Sequence, residues 1–158
     1  MTGPDWAQRL GLIQHPEGGW FSRIHTSETS VNTAHGVRPQ ITSIHYLLTQ
    51  TQPISRLHRN RSGILHYLQH GGPVEYVLLT ADGELQRHVL GYAPGQALFL
   101  FVPGGVWKAS HLIDGAEHVL ISEAVSPGFV FADHEFAGPD VLAQFPAHTE
   151  ELAPFIRP

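Results

Sequence analysis

Cysteine is absent from this chain, which excludes disulfides, thiolate nucleophiles and cysteine metal sites together and leaves the redox compartment open. Charge is sparse too: charged residues make up 15% of the sequence, only nine are Lys or Arg, and the net charge is −5. So few cations cannot build the basic surface that a phosphate backbone demands, and nucleic acid is not an expected partner. No apolar run approaches the ~20 residues that span a bilayer. The opening Met1-Thr2-Gly3-Pro4-Asp5-Trp6 has neither the basic nor the apolar region of a secretory leader. The expectation is a soluble, cytoplasmic protein with no membrane partner. There is also no repeat of fixed period and no low-complexity tract.

What is abundant points to short strands. A chain of 158 residues with 42% hydrophobic content supports one domain, 1–158, around one core. Sixteen Gly and twelve Pro beside so little charge describe many short strands joined by turns, hence an all-β class. Twelve His are the compositional oddity, since imidazole titrates near neutrality. Of these, His15, His25, His35, His70, His88, His118, His134 and His148 read as surface or structural residues.

In chain order, Asp5 is placed to cap a helix over Trp6–Leu10 that Gly11 ends, within an N-terminal helical segment 1–14. His15-Pro16-Glu17-Gly18-Gly19 is a turn feeding a strand Trp20–Thr26, and the polar, aperiodic Ser27–Pro39 reads as a loop. Gln40–Thr49 is a strong strand. Two stretches then organise the rest: Ser55–Gln69, two strands around a polar turn, and Val102–His111, where Pro103, Gly104 and Gly105 sit between apolar runs. Each reads as a hairpin. Ala81-Asp82-Gly83-Glu84 signals another hairpin between Val74–Thr80 and Leu85–Leu90, and His118–Val125 is the last strand. From Pro139, short helices over Asp140–Phe145 and Thr149–Leu152 form a C-terminal helical segment, 139–158. About nine or ten antiparallel strands predict a jelly-roll barrel. Its open edges and outer apolar faces at Ile64, Leu68 and Val77 call for a homodimer.

With those elements placed, five stretches in order resemble the cupin superfamily and, within it, the fifth-type cupin domain, a domain of unknown function. They are His15-Pro16-Glu17-Gly18-Gly19-Trp20-Phe21, Ile44-His45-Tyr46-Leu47-Leu48, Ser55-Arg56-Leu57-His58-Arg59, Val102-Pro103-Gly104-Gly105-Val106-Trp107-Lys108-Ala109-Ser110, and Ser126–Asp133. His66-Tyr67-Leu68-Gln69 is similar to a subgroup that includes an uncharacterised yeast protein. The resemblance implies a double-stranded β-helix, usually dimeric, with a pocket inside for a small molecule. It implies no known reaction.

Metal-binding cupins hold one divalent ion with three His and one Glu from two motifs. Here His58 fits the first His, Asn60 stands where the second would be, and no Glu follows at the required spacing. In the second motif Pro103 and Gly105 match, but Lys108 replaces the last His. One imidazole beside an amide and an amine binds such an ion weakly, so no metal or other cofactor is expected. Rescue would require His45, His66 or His111 to converge on His58.

A constellation without metal remains. Glu123 lies in the apolar strand Val119–Val125, where a lone carboxylate must be paired, hydrogen-bonded or protonated. His58 and Glu123 are the expected acid–base pair, with Lys108 and Arg56 steadying an anion. His45, Gln69 and Glu17 are expected on the substrate, as are Tyr67, Phe99, Phe101 and Trp107, whose rings compete with a place in the core. The function expected is an isomerase or epimerase-like enzyme acting on a sugar-like or acidic metabolite. A pocket that binds without catalysis and a metal-dependent oxygenase are the alternatives.

Overall fold

The computed structural model describes residues Met1–Ile156, so positions 157 and 158 of the expected C-terminal segment lie outside the described residues. The chain opens with α1 (Gly3–Arg9), capped by Thr2 and not by Asp5. The Thr2 hydroxyl accepts the Asp5 N–H at 3.4 Å and the Asp5 carboxylate accepts the Thr2 N–H at 2.8 Å. Asp5 is therefore the third residue of a capping box, and Pro4 within the first turn lets the helix begin earlier than Trp6.

Five strands follow: β1 (Ile13–Gln14), β2 (Trp20–Thr26), β3 (Ser30–Thr33), β4 (Gly36–Pro39) and β5 (Thr42–Thr49). Next come β6 (Ile54–Asn60), β7 (Gly63–Gly71), β8 (Val74–Leu79), β9 (Leu85–Leu90), β10 (Phe99–Val102), β11 (Trp107–Leu112), β12 (His118–Ser126) and β13 (His134–Phe136). The helices α2 (Pro139–Gln144) and α3 (Thr149–Leu152) close the described chain. Two large antiparallel sheets result, one ordered β1-β2-β5-β12-β7-β10 and the other β13-β6-β11-β8-β9, beside a two-stranded β3-β4 sheet. The strands number more than expected, partly because β3 and β4 form a hairpin inside the segment read as a loop. Ser30-Val31-Asn32-Thr33 covers no core, so its alternation carries almost no hydrophobic signal.

The two organising stretches are not hairpins. β6 lies in the five-stranded sheet and β7 in the six-stranded one, while β10 and β11 are divided the other way. Each polar turn thus carries the chain across the core, as a jelly roll requires. The turns pack on each other: the Gly105 N–H donates to the Asn60 carbonyl at 2.8 Å, and a Cβ on Gly104 would stand 2.0 Å from the Arg61 carbonyl oxygen. Only glycine admits that approach. The expected hairpin around Gly83 does form, joining β8 to β9.

Between the sheets lies the main core, with Tyr46 and Leu48 of β5, Tyr76 and Leu78 of β8, and Val119 and Ile121 of β12. The alternate residues are buried as well. Leu47 and Leu120 pack under Trp6 and Leu10 of the N-terminal helix region, while Val77, Leu79, Leu57 and Trp107 pack under Val141, Leu152 and Phe155. The terminal helices cover both outer faces, which is why the central strands read as nearly continuous apolar runs. Of the residues expected on uncovered faces, Val77 is covered by the C-terminal helices, Leu68 packs on the core between the sheets and Ile64 is buried there too. Tyr67, Phe99 and Phe101 are among the exposed aromatics and gather where β10 forms a sheet edge beside β7. One region of the interior is polar, with Glu17, His58, Asn60, His66 and Lys108 all buried.

Candidate functional site

Glu17 is carried by the tight loop 15–19. Gly18 sits at φ +103°, and a Cβ there would meet the Ile54 carbonyl oxygen at 2.3 Å, so the sequence needs glycine beside the carboxylate. The loop is tied down by the Arg56 N–H donating to the Glu17 carbonyl at 2.8 Å and by the Tyr46 hydroxyl donating to the Gly18 carbonyl at 2.6 Å. His58 arrives from β6. Pairing of β6 with β11 slips between Lys108 and Ser110, opposite His58 and Ser55, which leaves one extra residue in β6. This bulge frees the Arg56 carbonyl to face the His58 ring, with Nδ1 at 2.6 Å.

A carbonyl only accepts, so Nδ1 of His58 carries its proton and, in the neutral ring, Nε2 presents a lone pair. That lone pair faces Glu17 Oε1 at 3.2 Å. His134, from β13, places its Nε2 at 2.9 Å from the same oxygen, and its ring stacks on His58 with centroids 5.2 Å apart. Glu17 Oε2 accepts the Ser55 hydroxyl at 3.4 Å. Burial pushes the Glu17 carboxyl up, but His58, the His134 hydrogen bond, His15 and Lys108 outweigh it and hold it well below the usual carboxylate range. Burial pushes the His58 imidazole down to about 4, against the pull of Glu17 and helped by Lys108. At neutral pH an ionised carboxylate and a neutral imidazole face each other.

A second group stands on the other sheet. Glu123 of β12 lies opposite Ile44 and His66 in the ladder. His66 Nδ1 donates to the Leu100 carbonyl at 3.2 Å, which leaves Nε2 to accept from Lys108 Nζ at 2.7 Å. Glu123 Oε1 is 3.6 Å from that imidazole nitrogen and 3.9 Å from the Lys108 ammonium. Burial raises the Glu123 carboxyl above its ordinary value, Lys108 pulls it back, and Glu17 adds to the rise. Burial and then Lys108 hold His66 far down, so it is neutral.

Both groups open on one cavity, about 580 Å³ of free space counting its mouth. Glu17, His58, Asn60, His134 and Glu123 are among its polar lining, Phe21, Ile44, Ile64 and Val125 among its apolar walls, and Arg23, Phe129 and Phe131 line it as well. The Arg23 guanidinium lies 6.0 Å from the Phe129 ring centroid.

Of the residues singled out in the sequence, Glu17, His58 and Glu123 line this cavity, and Lys108 lies against His66 behind Glu123. His58 contacts Glu17, not Glu123. The others lie elsewhere. Tyr67 and Phe99 stack on each other outside, and Phe101 is exposed. Gln69 is exposed on the strand face away from Leu68, and His45 contacts Ser122 on the face away from Tyr46. Trp107 is buried under the C-terminal helices with the Arg59 guanidinium over its ring. The Arg56 side chain borders a separate surface pocket with Gly18, Gln52 and Pro154, and only its backbone serves the site. Because side chains alternate, each of these except Arg56, which the β6 bulge turns out, is one position out of phase with a residue that does face inward. His15 and His134, read as surface or structural, belong to the site, since β13 pairs with β6 and sets His134 opposite Asn60. The only signal for His134 was its place directly after the stretch Ser126–Asp133.

The ion set of the two cupin motifs is not completed: Lys108 is bonded to His66, His45 and His111 lie elsewhere, and Asn60 offers an amide. Among the described residues, a different set converges: Glu17, His58 and His134, whose ligand atoms all lie within 4.8 Å of one another.

Comparison with known proteins agrees with this architecture. The chain is 40% identical to the uncharacterised protein YML079W of Saccharomyces cerevisiae, over 94% of this chain and 81% of the yeast protein. A hypothetical protein from Leishmania major shares the fold over the whole of both chains, with TM-score 0.94 and 29% identity. A variant of oxalate decarboxylase from Bacillus subtilis shares the fold alone, with TM-score 0.60 and 14% identity, over 90% of this chain and 36% of that one. Residues 4–137 match the family described as Cupin superfamily (DUF985), and the chain belongs to that family of cupins.

Proposed function

We propose that the protein binds a small acidic or sugar-like metabolite and moves a proton on it beside a carbonyl group, as isomerases and epimerases do. The observation that carries this reading is Glu123: a carboxyl in the cavity wall whose affinity for a proton is raised by burial, with an ammonium 3.9 Å behind it. A carboxyl whose proton affinity is raised takes a proton from carbon more readily than an ordinary one and can return it. Lys108, fixed by His66, stabilises the carboxylate whenever the proton is on the ligand. The apolar walls suit the carbon skeleton, Arg23 at the cavity offers a cation to an acidic group, and the imidazoles around Glu17 face the ligand from the other side. This chemistry asks only for groups that the chain itself supplies.

The test is exchange with solvent. In deuterium oxide, a panel of 2-hydroxy acids, 2-oxo acids and aldose or ketose sugars should include a compound that gains deuterium beside its carbonyl, read by proton NMR. Glu123→Gln should slow that exchange by about 10²–10⁴, the usual loss on removing an acid–base group. A panel member that binds wild type and never exchanges would make the protein a binding module. The same protein is proposed to pair with a second copy through the β10 edge, where Tyr67, Phe99 and Phe101 are exposed. A monomer in sedimentation at micromolar concentration would remove that part.

A further inference from the structure

We infer that Glu17, His58 and His134 form a binding site for one first-row divalent transition-metal ion, with the Asn60 amide oxygen as a further acceptor beside it. Only His58 of this set comes from the two cupin motifs. The other two reach it from the loop 15–19 and from β13. The inference does not depend on Glu123 carrying a proton.

Four observations support the site. First, the donors come from three separate elements, yet their ligand atoms gather within 4.8 Å. Second, the hydrogen bonding leaves an electrostatic gap. His58 Nδ1 donates to the Arg56 carbonyl at 2.6 Å, so its Nε2 lone pair points at Glu17 Oε1, 3.2 Å away, and two acceptors face each other with no donor between them. A cation at that point satisfies both. Third, Asn60 Oδ1 is buried with no hydrogen-bond partner, on a residue that lines the same cavity and sits opposite His134 in the ladder. Such orphaned acceptors are rare and call for a water or an ion. Fourth, the ligands are braced from behind. The Arg56 carbonyl orients His58, and Arg38 grips Asp133, the residue before His134, with two hydrogen bonds of 2.7 and 2.8 Å.

The chemistry of the set selects the ion. Two imidazoles and one carboxylate are borderline ligands that favour zinc, iron, cobalt or nickel over the oxygen-seeking magnesium and calcium. The nearby Lys108 ammonium opposes a cation, but it is taken up by His66 and Glu123. An ion held here would polarise an oxygen of a ligand in the cavity.

The test titrates chelator-treated protein with cobalt(II), following visible ligand-field absorption and calorimetric heat, and with zinc(II), following melting temperature. The expected result is one cobalt per chain, a rise in melting temperature with zinc, and affinity lowered at least about a hundredfold in both Glu17→Gln and His134→Ala. His70→Ala, which alters an imidazole pair remote from the site, should leave the affinity unchanged. Near-ultraviolet circular dichroism of each variant guards against simple misfolding. Binding that survives both site substitutions, or no binding by folded wild type at micromolar metal, overturns the site. Deuterium exchange repeated in chelator separates the two ideas: exchange that persists leaves the proton-transfer reading standing even if the ion site fails.

Discussion

Glu17 and Glu123 face one cavity from opposite sides, 3.2 and 3.6 Å from the imidazoles of His58 and His66, yet burial is outweighed at the first and prevails at the second. The difference lies in their partners. Glu17 accepts hydrogen bonds from the His134 imidazole at 2.9 Å and the Ser55 hydroxyl at 3.4 Å. Glu123 has one ammonium at 3.9 Å, and that ammonium makes its short hydrogen bond to His66 instead. Two similar pairs of side chains thus give a carboxyl of lowered proton affinity on one wall and one of raised proton affinity on the other. Residue type alone does not set charge state in a buried site; the number of groups able to stabilise the anion does.

The comparison breaks most visibly at Lys108. Lys108→Met removes the ammonium beside Glu123 and leaves the His66 Nε2 acceptor without its donor. Uncoupling one partner of a buried ion pair costs about 3–5 kcal/mol. Urea unfolding at pH 7 should show a loss of that size, shrinking as the pH falls, because a protonated Glu123 no longer needs a cation. A loss below about 1 kcal/mol at pH 7, typical of surface pairs, would show that Lys108 does not hold the carboxylate.

A smaller effect separates the two carboxylates by sign. Glu123 has a raised value in the folded state, so its contribution to stability is fully present below the ordinary carboxylate value near 4.5 and is lost as pH rises through the folded value. Glu123→Gln cannot titrate. The melting temperature of that variant minus that of wild type should therefore climb as pH is raised from acid to neutral, whatever its offset from the loss of the pair. A difference that falls with pH would mean that Glu123 is a stabilised carboxylate like Glu17.

Much of the fold was legible because strand alternation and Gly or Pro turns are local. The segments β2, β5, β7, β8 and β9 fall where the apolar pattern puts them. The turns at Arg61-Ser62 and Gly104-Gly105 misled, since a turn looks alike in sequence whether its strands pair or cross to another sheet; only the strand partners decide. The site was legible in three residues. Glu17 stood out as a carboxylate between Pro and Gly, His58 by its motif, and Glu123 as a charge in an apolar strand. Phe99 and Phe101 read as pocket residues yet lie on the outer face, because Leu100 and Val102 are equally apolar: period two separates the faces without saying which is inside. Arg56 shares its phase with His58 in a regular strand, and the β6 bulge turns it out. His134 has no local signature at all, because its convergence on Glu17 arises from β13 pairing with β6 across 117 positions of sequence.

The smallest expected effect is the sharpest test of the Glu17 side. If an ionised Glu17 faces a neutral His58, Glu17→Gln in chelator-treated protein turns two facing acceptors into a donor and an acceptor. The new amide N–H meets the His58 Nε2 lone pair at the position where Oε1 stands 3.2 Å away, and the amide oxygen keeps the Ser55 hydroxyl. His134 needs only to move its ring proton to Nδ1 so that Nε2 accepts the second amide hydrogen. The amide N–H to His58 is gained while the charge-assisted bond from His134 becomes a neutral one, and because these offset each other stability at pH 7 should change by less than about 1 kcal/mol in either direction. If His58 is instead an imidazolium paired with Glu17, the amide strands a buried cation, and the same substitution should cost about 3–5 kcal/mol, matching Lys108→Met. Urea unfolding of Glu17→Gln in chelator therefore reads the charge of His58 directly: a near-zero change keeps the two walls of the cavity distinct, and a large loss makes them two versions of one ion pair.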